Sequence, residues 1–465
     1  MNDIDLDTSP RAVWRLIWPQ MLMMYLVVLT GFTTVWLAGQ ISADVQAALG
    51  MVTQISLFLM VIIMAVSNGA IASISQSLGA RKLLRARRYV GATAVGSLGL
   101  GILTALAGYC FGNDILVLVM IPDSIMPISR ELWRVAMLAL PVQYLYSASG
   151  VLFRVTRQVV PSLLVASLTC IVNLFACLGF GLGYFGLPTF GYTGIAWANF
   201  GAQFLGALGN CFLLCGSGYL CQRSMPDLRW LRAGLPYLLK VALPAGADAF
   251  VWQSGYLTLF ALVASLPQDS VNALAGLTAG LRIEALLFMP GMAFNMSVAV
   301  LVGNCLGAGK AEEAKRIALN MVCLGTAAMT LIAAALWPFR PELARILSCN
   351  PGTQTQTVSY LTHNLLSTPF SVASSIMGGI MVGAGATKYN LMIFGGASWL
   401  VRLPLGWLLG HVLWGTAAGV FLAMLLSQCL QACIMLQVVL RRDWTRFAMG
   451  RRAPAARRAY HSISR

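Results

Sequence analysis

The stretch that decides the fold spans residues 47–82 and reads AALGMVTQISLFLMVIIMAVSNGAIASISQSLGARK. It contains no Asp, Glu, Lys or Arg before Arg81. A helix of about 20 apolar residues crosses the hydrocarbon core of a bilayer. The apolar residues are continuous and do not alternate with polar ones, which disfavours a strand of a β-barrel. The stretch therefore predicts a membrane-spanning helix that ends at a basic loop.

The composition of the whole chain supports the same class of protein. Of 465 residues, 58% are hydrophobic and 10% are charged, and the mean hydropathy is +0.77. A soluble domain carries about 25% charged residues. The composition excludes a soluble enzyme, a coiled coil and a disordered chain, and it predicts an all-α polytopic membrane protein. The net charge of +16 is concentrated partly after residue 440, and we interpret that tail as membrane-surface binding, with no nucleic-acid partner.

Breaks at charges, Gly/Pro clusters and polar runs divide the chain into apolar segments. They predict twelve transmembrane helices, at residues 14–38, 47–78, 89–111, 132–156, 160–184, 191–215, 237–265, 271–306, 314–338, 357–384, 388–410 and 415–440.

Basic residues are unevenly distributed over the connections between these helices. With the N-terminus inside, the inward connections and the tail carry 25 Lys and Arg, and the outward connections carry 4. Positively charged loops remain cytoplasmic during insertion. A missed or extra span would exchange the two sides and weaken this contrast. We therefore expect a multi-pass protein of the plasma (bacterial inner) membrane with both termini cytoplasmic.

Two pairs of similar segments indicate an internal duplication. SQSLGARK at Ser75–Lys82 and GNCLGAGK at Gly303–Lys310 have Leu-Gly-Ala triplets 228 residues apart, and residues 156–161 match 385–390 at an offset of 229. Six-helix halves of equal orientation are typical of transporters that bind substrate between the halves. We predict an N-terminal six-helix lobe at 1–215, a cytoplasmic linker at 216–235, a C-terminal six-helix lobe at 236–440 and a basic cytoplasmic tail at 441–465.

The order and spacing of four further segments resemble one transporter family. They are LPAGAD at 243–248, RIEALLFMPG at 282–291, LVGNCLGAGK at 301–310 and VRLPL at 401–405. Together with Ser75–Ala80 they are similar to motifs of the multidrug and toxic compound extrusion (MATE) transporters. The resemblance implies a V-shaped pair of pseudo-symmetric six-helix bundles. It also implies cation-driven antiport that exports organic, often cationic, compounds.

One position departs from the family pattern. Many members carry an Asp in the first helix, in a stretch like VDTxxVG. Here FTTVWLA at 32–38 occupies that place, and Thr33 stands where the acid would be. The departure argues against a proton site in the N-terminal half and leaves Thr33 as a candidate cavity-lining residue.

Four ionisable residues lie deep inside the predicted helices, and all are in the C-terminal half: Asp248, Arg282, Glu284 and Arg402. A charge at the bilayer centre costs about 2.5–3.5 kcal/mol on insertion scales. One interpretation is a self-neutralising network that fixes helix packing. The other makes the four residues a coupling-ion and substrate site, in which Asp248 and Glu284 bind H⁺ through a desolvated carboxylate or Na⁺ through hard oxygen ligands. Arg282 and Glu284 are two residues apart and face opposite sides, so they cannot pair with each other. We expect Glu284 to face the interior of the C-terminal lobe with Asp248, and Arg402 or Arg282 to balance one of these acids.

Helical spacing places further residues beside the two acids. Trp252 and Tyr256 share a face with Asp248, and Phe288 shares one with Glu284. An acid near aromatic rings is suited to a cationic ligand. Polar neutral residues inside the helices supply the rest of the candidate cavity lining: Gln253, Asn295 and Asn173, the last of which aligns with Arg402 at an offset of 229.

These features favour a secondary antiporter that exports organic cations or toxic compounds in exchange for inward H⁺ or Na⁺. We expect alternating access of the two lobes, a monomer, no catalytic residues and no cofactor besides the coupling ion. The alternative is a flippase or exporter of a lipid-linked or other anionic precursor, which would use an Arg-lined groove. A membrane enzyme acting on isoprenoids is disfavoured, because the duplicated halves count against it.

Overall fold

The computed structural model describes residues 10–119, 121–348 and 350–449, and within these ranges the chain is almost entirely helical, with no β-strand. Most of the predicted basic tail, residues 450–465, lies outside the described residues. The helices form two compact units. One contains residues 14–239, and the other contains residues 240–449 together with residues 10–13.

The first unit contains six long helices. They are α1 (Pro10–Ile41), α2 (Ala43–Gly79), α3 (Leu83–Cys110), α4 (Met126–Val155), α5 (Val159–Gly181) and α6 (Gly191–Gly216). A short helix at Gly112–Leu118 joins α3 to α4, and α5 ends in a π-helical turn at Cys177–Gly181.

The second unit repeats this arrangement. Its helices are α7 (Leu228–Ala264), α8 (Ser270–Gly307), α9 (Ala311–Leu336), α10 (Pro351–Ala384), α11 (Lys388–Leu413) and α12 (Ala417–Arg441). The first turns of α7 belong to the first unit. A short helix at Arg340–Leu347 occupies the place that the helix at Gly112–Leu118 has in the first unit.

Each predicted span coincides with one of these helices, and the fold class is confirmed. Among the described residues, eleven of the twelve helices are long and apolar enough to cross a membrane. The exception is α7, which has 37 residues and ample length but carries Asp248, Gln253 and several small polar residues in its apolar part. These polar residues lower the mean hydropathy of α7.

A central helix organises the packing of each unit. In the first unit α4 packs against α2, α3 and α6, and in the second α10 packs against α8, α9 and α12. In the same way α5 packs on α6, and α11 packs on α12. The second half of the chain therefore repeats the packing scheme of the first.

Four helix ends show the duplication at the level of backbone turns. α2, α4, α8 and α10 end at residues with a left-handed φ of 55° at Arg81, 60° at Arg157, 78° at Gly309 and 77° at Gly385. At each, the next N–H bonds back to a carbonyl five residues earlier, as in the pair Lys82 N to Ser77 O at 3.0 Å and Lys310 N to Cys305 O at 2.9 Å. This is the Schellman motif. Both pairs of turns are 228 residues apart, so the offset of 229 read from the second sequence match is wrong by one residue at this point.

Apolar side chains lie both in the core and on the outer surface of the units. The core of the second unit is apolar and contains buried residues such as Leu259, Leu277 and Val420. Large apolar side chains such as Leu103, Leu164 and Leu331 are exposed on the outside. In a bilayer these faces contact lipid, and helices satisfy all their backbone hydrogen bonds internally.

Candidate functional site

Glu284 lies where α8 and α10 pack together. Gly276 and Gly280 are four residues apart on α8, and Glu284 follows after four more, so the three share one face. A Cβ at Gly276 would lie 2.9 Å from the carbonyl carbon of Gln356, and one at Gly280 would overlap the ring of Tyr360. The two glycines therefore allow α10 to approach α8 closely.

This close approach fixes the partners of the Glu284 carboxylate. The Tyr360 hydroxyl of α10 donates a hydrogen bond to Oε2 of Glu284. Asn364, one turn further along α10, and the charge of Arg402 both act electrostatically on the carboxylate. Tyr360 itself is 1% exposed and packs edge-on against Phe421 of α12 at 5.2 Å between ring centroids.

Arg402 provides the positive charge of this cluster. It is only 1% exposed, and its Nε donates to Ser427 Oγ of α12 at 3.0 Å. Its Nη2 is buried without a hydrogen-bond partner among the described residues. No ion pair within 4.0 Å joins Arg402 to Glu284 in the described part of the chain. Arg402 and Glu284 are therefore close enough to interact electrostatically, but they do not form a contact ion pair.

The backbone around Arg402 is irregular. π-helical turns at Leu391–Gly395 and Ala397–Arg402 interrupt α11, and a third follows at Leu408–Leu413. Such turns insert extra residues into a helix and are frequent at functional sites.

An aromatic pair on α7 covers the guanidinium. The rings of Trp252 and Tyr256 are 5.1 Å apart between centroids. Arg402 Cζ lies 5.6 Å from the Trp252 centroid and 5.9 Å from that of Tyr256. Trp252 is 38% exposed, so one side of the pair faces the buried cation and the other is accessible. These distances fit cation–π contacts.

A small cavity adjoins the cluster between α10 and α12. It has about 10 Å³, roughly the space of one water molecule. Its lining residues are Tyr360, His363, Asn364, Ser367, Phe421, Met424, Leu425 and Gln428. Oε1 of Gln428 is buried without a hydrogen-bond partner in the described residues. Buried polar atoms of this kind are ordinarily satisfied by water or by a ligand.

The structure does not link Asp248 to this cluster. Asp248 is partly buried on α7, and its Oδ1 has no hydrogen-bond partner among the described residues. No hydrogen bond or ion pair joins it to Glu284, Arg282 or Arg402 in the ranges that the structure describes. Arg282 is exposed, whereas Glu284 on the other side of α8 is partly buried.

The remaining predicted residues lie in varied surroundings. Thr33 donates to the Leu29 carbonyl of its own helix at 2.8 Å. Asn173 is buried, and its Oδ1 is 3.9 Å from Cys177 Sγ. Asn295 donates to the Ser375 carbonyl at 2.5 Å. Gln253 and Phe288 are partly buried.

Sequence reasoning missed three members of the cluster: Tyr360, Asn364 and Ser427. The signal for the first two was present. The stripe Gly276, Gly280, Glu284 indicates a close helix contact beside the acid, and Tyr360 and Asn364 are four residues apart on a long helix. The sequence pattern does not show which helix packs against these glycines.

Twelve long helices in two similarly packed units, with charges buried among them, define a polytopic membrane protein of the transporter class. The profile of the MatE family matches residues 19–178 and 244–408, one segment in each unit, and the chain belongs to this family. MatE proteins are transporters, so the chain is a membrane transporter and not an enzyme.

Two curated relatives match this chain, one over nearly its full length and one over half of it. The chain is 23% identical over 445 residues to the probable multidrug resistance protein NorM of Thermotoga maritima, covering 94% of this chain and 93% of the relative. It is 27% identical over 242 residues to the multidrug resistance protein PmpM of Pseudomonas aeruginosa, which covers 50% of this chain and 48% of the relative.

Solved structures show the same fold. A MATE transporter from Vibrio cholerae aligns with a TM-score of 0.86 at 18% identity, covering 94% of this chain and 98% of that one. A MOP superfamily transporter from Pyrococcus furiosus aligns with a TM-score of 0.84 at 16% identity, covering 94% and 96%.

Proposed function

We propose that this transporter is a secondary antiporter that exports organic, often cationic, drugs or toxic compounds in exchange for inward H⁺ or Na⁺. Relatives with the names of multidrug resistance proteins support the substrate class. The excess of basic residues on one set of connections supports an inner-membrane protein with both termini cytoplasmic. The two six-helix lobes, 1–215 and 236–440, would alternate access around the linker 216–235.

The observation that carries the proposal is the Glu284 cluster. A carboxylate inside a membrane-spanning unit is costly and marks an ion or substrate pathway. Glu284 has a neutral hydrogen-bond partner in Tyr360, and it lacks a contact ion pair in the described residues. Such a carboxylate retains the capacity to bind a cation.

The size of the adjoining cavity favours an ion over an organic molecule. About 10 Å³ accommodates one water-sized particle, and the lining supplies hydroxyl and amide groups. A proton or a Na⁺ ion fits these limits, and hard oxygen donors suit Na⁺. We therefore assign the coupling ion to Glu284 and its partners.

Arg402 provides a physical link between ion binding and helix movement. A cation at Glu284 would replace Arg402 as the electrostatic partner of the carboxylate. Arg402 would then interact more strongly with Ser427 and the Trp252–Tyr256 pair, which it already contacts. Because α11 is irregular on both sides of Arg402, it would yield to such an exchange more easily than a regular helix.

We assign the organic substrate to the accessible side of α7. Asp248 is four residues before Trp252, so a buried carboxylate oxygen without a hydrogen-bond partner in the described residues lies one turn from an accessible indole. That combination suits an aromatic cation. Tyr256, Gln253, Phe288, Asn295, Arg282, Thr33 and Asn173 remain candidate lining residues.

Efflux from proteoliposomes tests the proposal. Purified protein would be reconstituted, loaded with ethidium and exposed to an H⁺ or a Na⁺ gradient imposed separately, with protein-free liposomes as the control. We expect gradient-driven ethidium movement with one of the two ions. Absence of movement under both gradients would contradict drug antiport. Translocation of a fluorescent lipid-linked phosphate in the same vesicles would instead support the anionic-precursor alternative.

A further inference from the structure

The first unit contains a second, larger cavity at the ends of four helices. It has about 840 Å³ and lies where α1 and α5 begin and where α4 and α6 end. Its lining residues are Arg15, Trp18, Phe153, Arg157, Gln158, Val159, Val160, Pro161, Phe212, Leu213, Gly216 and Ser217. We infer that this cavity binds the headgroup of an anionic phospholipid. The inference does not depend on the proposed antiport.

The charge of the lining points to an anion. Arg15 and Arg157 are its charged residues, and no Asp or Glu lines it. The first turn of α5 adds to this field, because the backbone N–H groups of Val159 and Val160 lie at the start of the helix and no side chain caps it. Free N–H groups at a helix start favour a negative ligand.

The position of the cavity points to a lipid. The ends of α4 and α6 carry basic connections that the charge distribution predicts to be cytoplasmic. Anionic lipids are concentrated at that face of the membrane, and basic pockets between helices bind their headgroups. Trp18 in the lining matches the preference of tryptophan for the depth of the headgroups.

The apolar part of the lining distinguishes a lipid from a soluble phosphate. Phe212 is 78% exposed and Val160 is 46% exposed, so both leave the cavity toward the outer surface of the unit. A headgroup beside the arginines would place acyl chains along these side chains. A soluble phosphate compound would gain nothing from them.

The backbone at Arg157 adds an independent observation. Arg157 adopts a φ of 60°, a conformation that glycine adopts with less strain. The equivalent turn of the second unit carries Gly385 instead. Strained positions that keep a bulky residue are candidates for function. The strain at Arg157 therefore fits a role for its side chain in the cavity.

Binding of dioctanoyl phosphatidylglycerol to the full-length protein in detergent tests the inference. Each basic residue near an anionic lipid contributes roughly fivefold in affinity, so R15Q/R157Q should bind about thirtyfold more weakly. The matched control is R229Q/R232Q, which removes two exposed arginines outside the cavity. Because these two arginines lie outside the cavity, this variant should change the affinity by less than about twofold.

Arg157→Gly separates lipid binding from folding. It relieves the left-handed conformation and should raise the melting temperature while weakening lipid binding about fivefold. An unchanged affinity in R157G and R15Q/R157Q would overturn the inference, as would an equal loss in R229Q/R232Q. Equally tight binding of dioctanoyl phosphatidylcholine, or full competition by inorganic phosphate at the same concentration, would also overturn the assignment to an anionic lipid.

Discussion

Glu284 occupies a place where an ionised carboxylate needs compensation. The Tyr360 hydroxyl, Asn364 and the charge of Arg402 supply it from two other helices. None of these partners is a contact ion pair. In the described residues, the geometry therefore differs from a closed structural salt bridge, and a replaceable partner is what ion coupling requires.

Substrate binding and ion coupling should separate at the level of single residues. Because the cavity beside Glu284 has space for about one water molecule, Glu284→Gln should leave the ethidium affinity within about twofold of wild type. Trp252→Ala removes an accessible aromatic face and should weaken binding by roughly threefold to thirtyfold. Fluorescence anisotropy of ethidium with purified protein measures both. A large loss in Glu284→Gln with none in Trp252→Ala would place the substrate at Glu284 instead.

The interaction between Glu284 and Arg402 should appear as non-additive stability. Removing one buried charge leaves the other uncompensated, which costs about 3–5 kcal/mol for a buried pair. Arg402→Gln should therefore lower the melting temperature strongly, and adding Glu284→Gln should recover part of the loss. A double-mutant cycle should give a coupling of about 1–3 kcal/mol. Strict additivity would show that the two charges do not interact.

At the scale of elements, the contact between α8 and α10 depends on glycine. Gly280→Ala should destabilise the protein by about 1–3 kcal/mol, because its methyl group would displace the Tyr360 ring. Gly396→Ala on α11 is the matched control, since no atom lies within 4 Å of a Cβ there, and it should be neutral or slightly stabilising. Thermal unfolding followed by tryptophan fluorescence compares them. Equal melting temperatures would show that the α8–α10 contact tolerates a side chain.

Substitutions at two equivalent helix-end turns should have opposite effects on stability. A left-handed residue other than glycine costs about 1–2 kcal/mol. Arg81→Gly should therefore stabilise the protein by about 1 kcal/mol, and Gly309→Ala at the equivalent turn should destabilise it by a similar amount. Chemical unfolding in mixed micelles measures the change in each. A shift of the same sign in both variants would contradict the equivalence of the two turns.

The helices were largely predictable, because continuous apolarity is a local property of the sequence. The helix ends were less predictable. The sequence predicts a helix from residue 237, but α7 begins at Leu228. Its first turns are amphipathic and contain Arg229 and Arg232, so they are not part of a continuous apolar segment. The π-helical turns of α11 gave no recognisable sequence signal.

At the scale of the whole molecule, the duplication was visible in sequence because both copies keep a Leu-Gly-Ala turn. Only the charged residues of the candidate site could be predicted from the sequence. Buried charges are conspicuous in an apolar chain, so Glu284 and Arg402 were found, while their neutral partners resemble ordinary helix residues. The grouping of Asp248 with Glu284 stays a prediction, since no bond in the described residues joins them.

The central claim is that transport is coupled to an ion through Glu284. The most direct test is gradient-driven ethidium transport in proteoliposomes by wild type, Glu284→Gln and Glu312→Gln, an exposed surface glutamate of the same unit. We predict that Glu284→Gln loses at least about 90% of the gradient-driven rate, because it removes a charge that stabilises the ion-coupled step by a few kcal/mol. Glu312→Gln should retain the wild-type rate. Transport by Glu284→Gln at the wild-type rate, with the same ion dependence, would contradict the account.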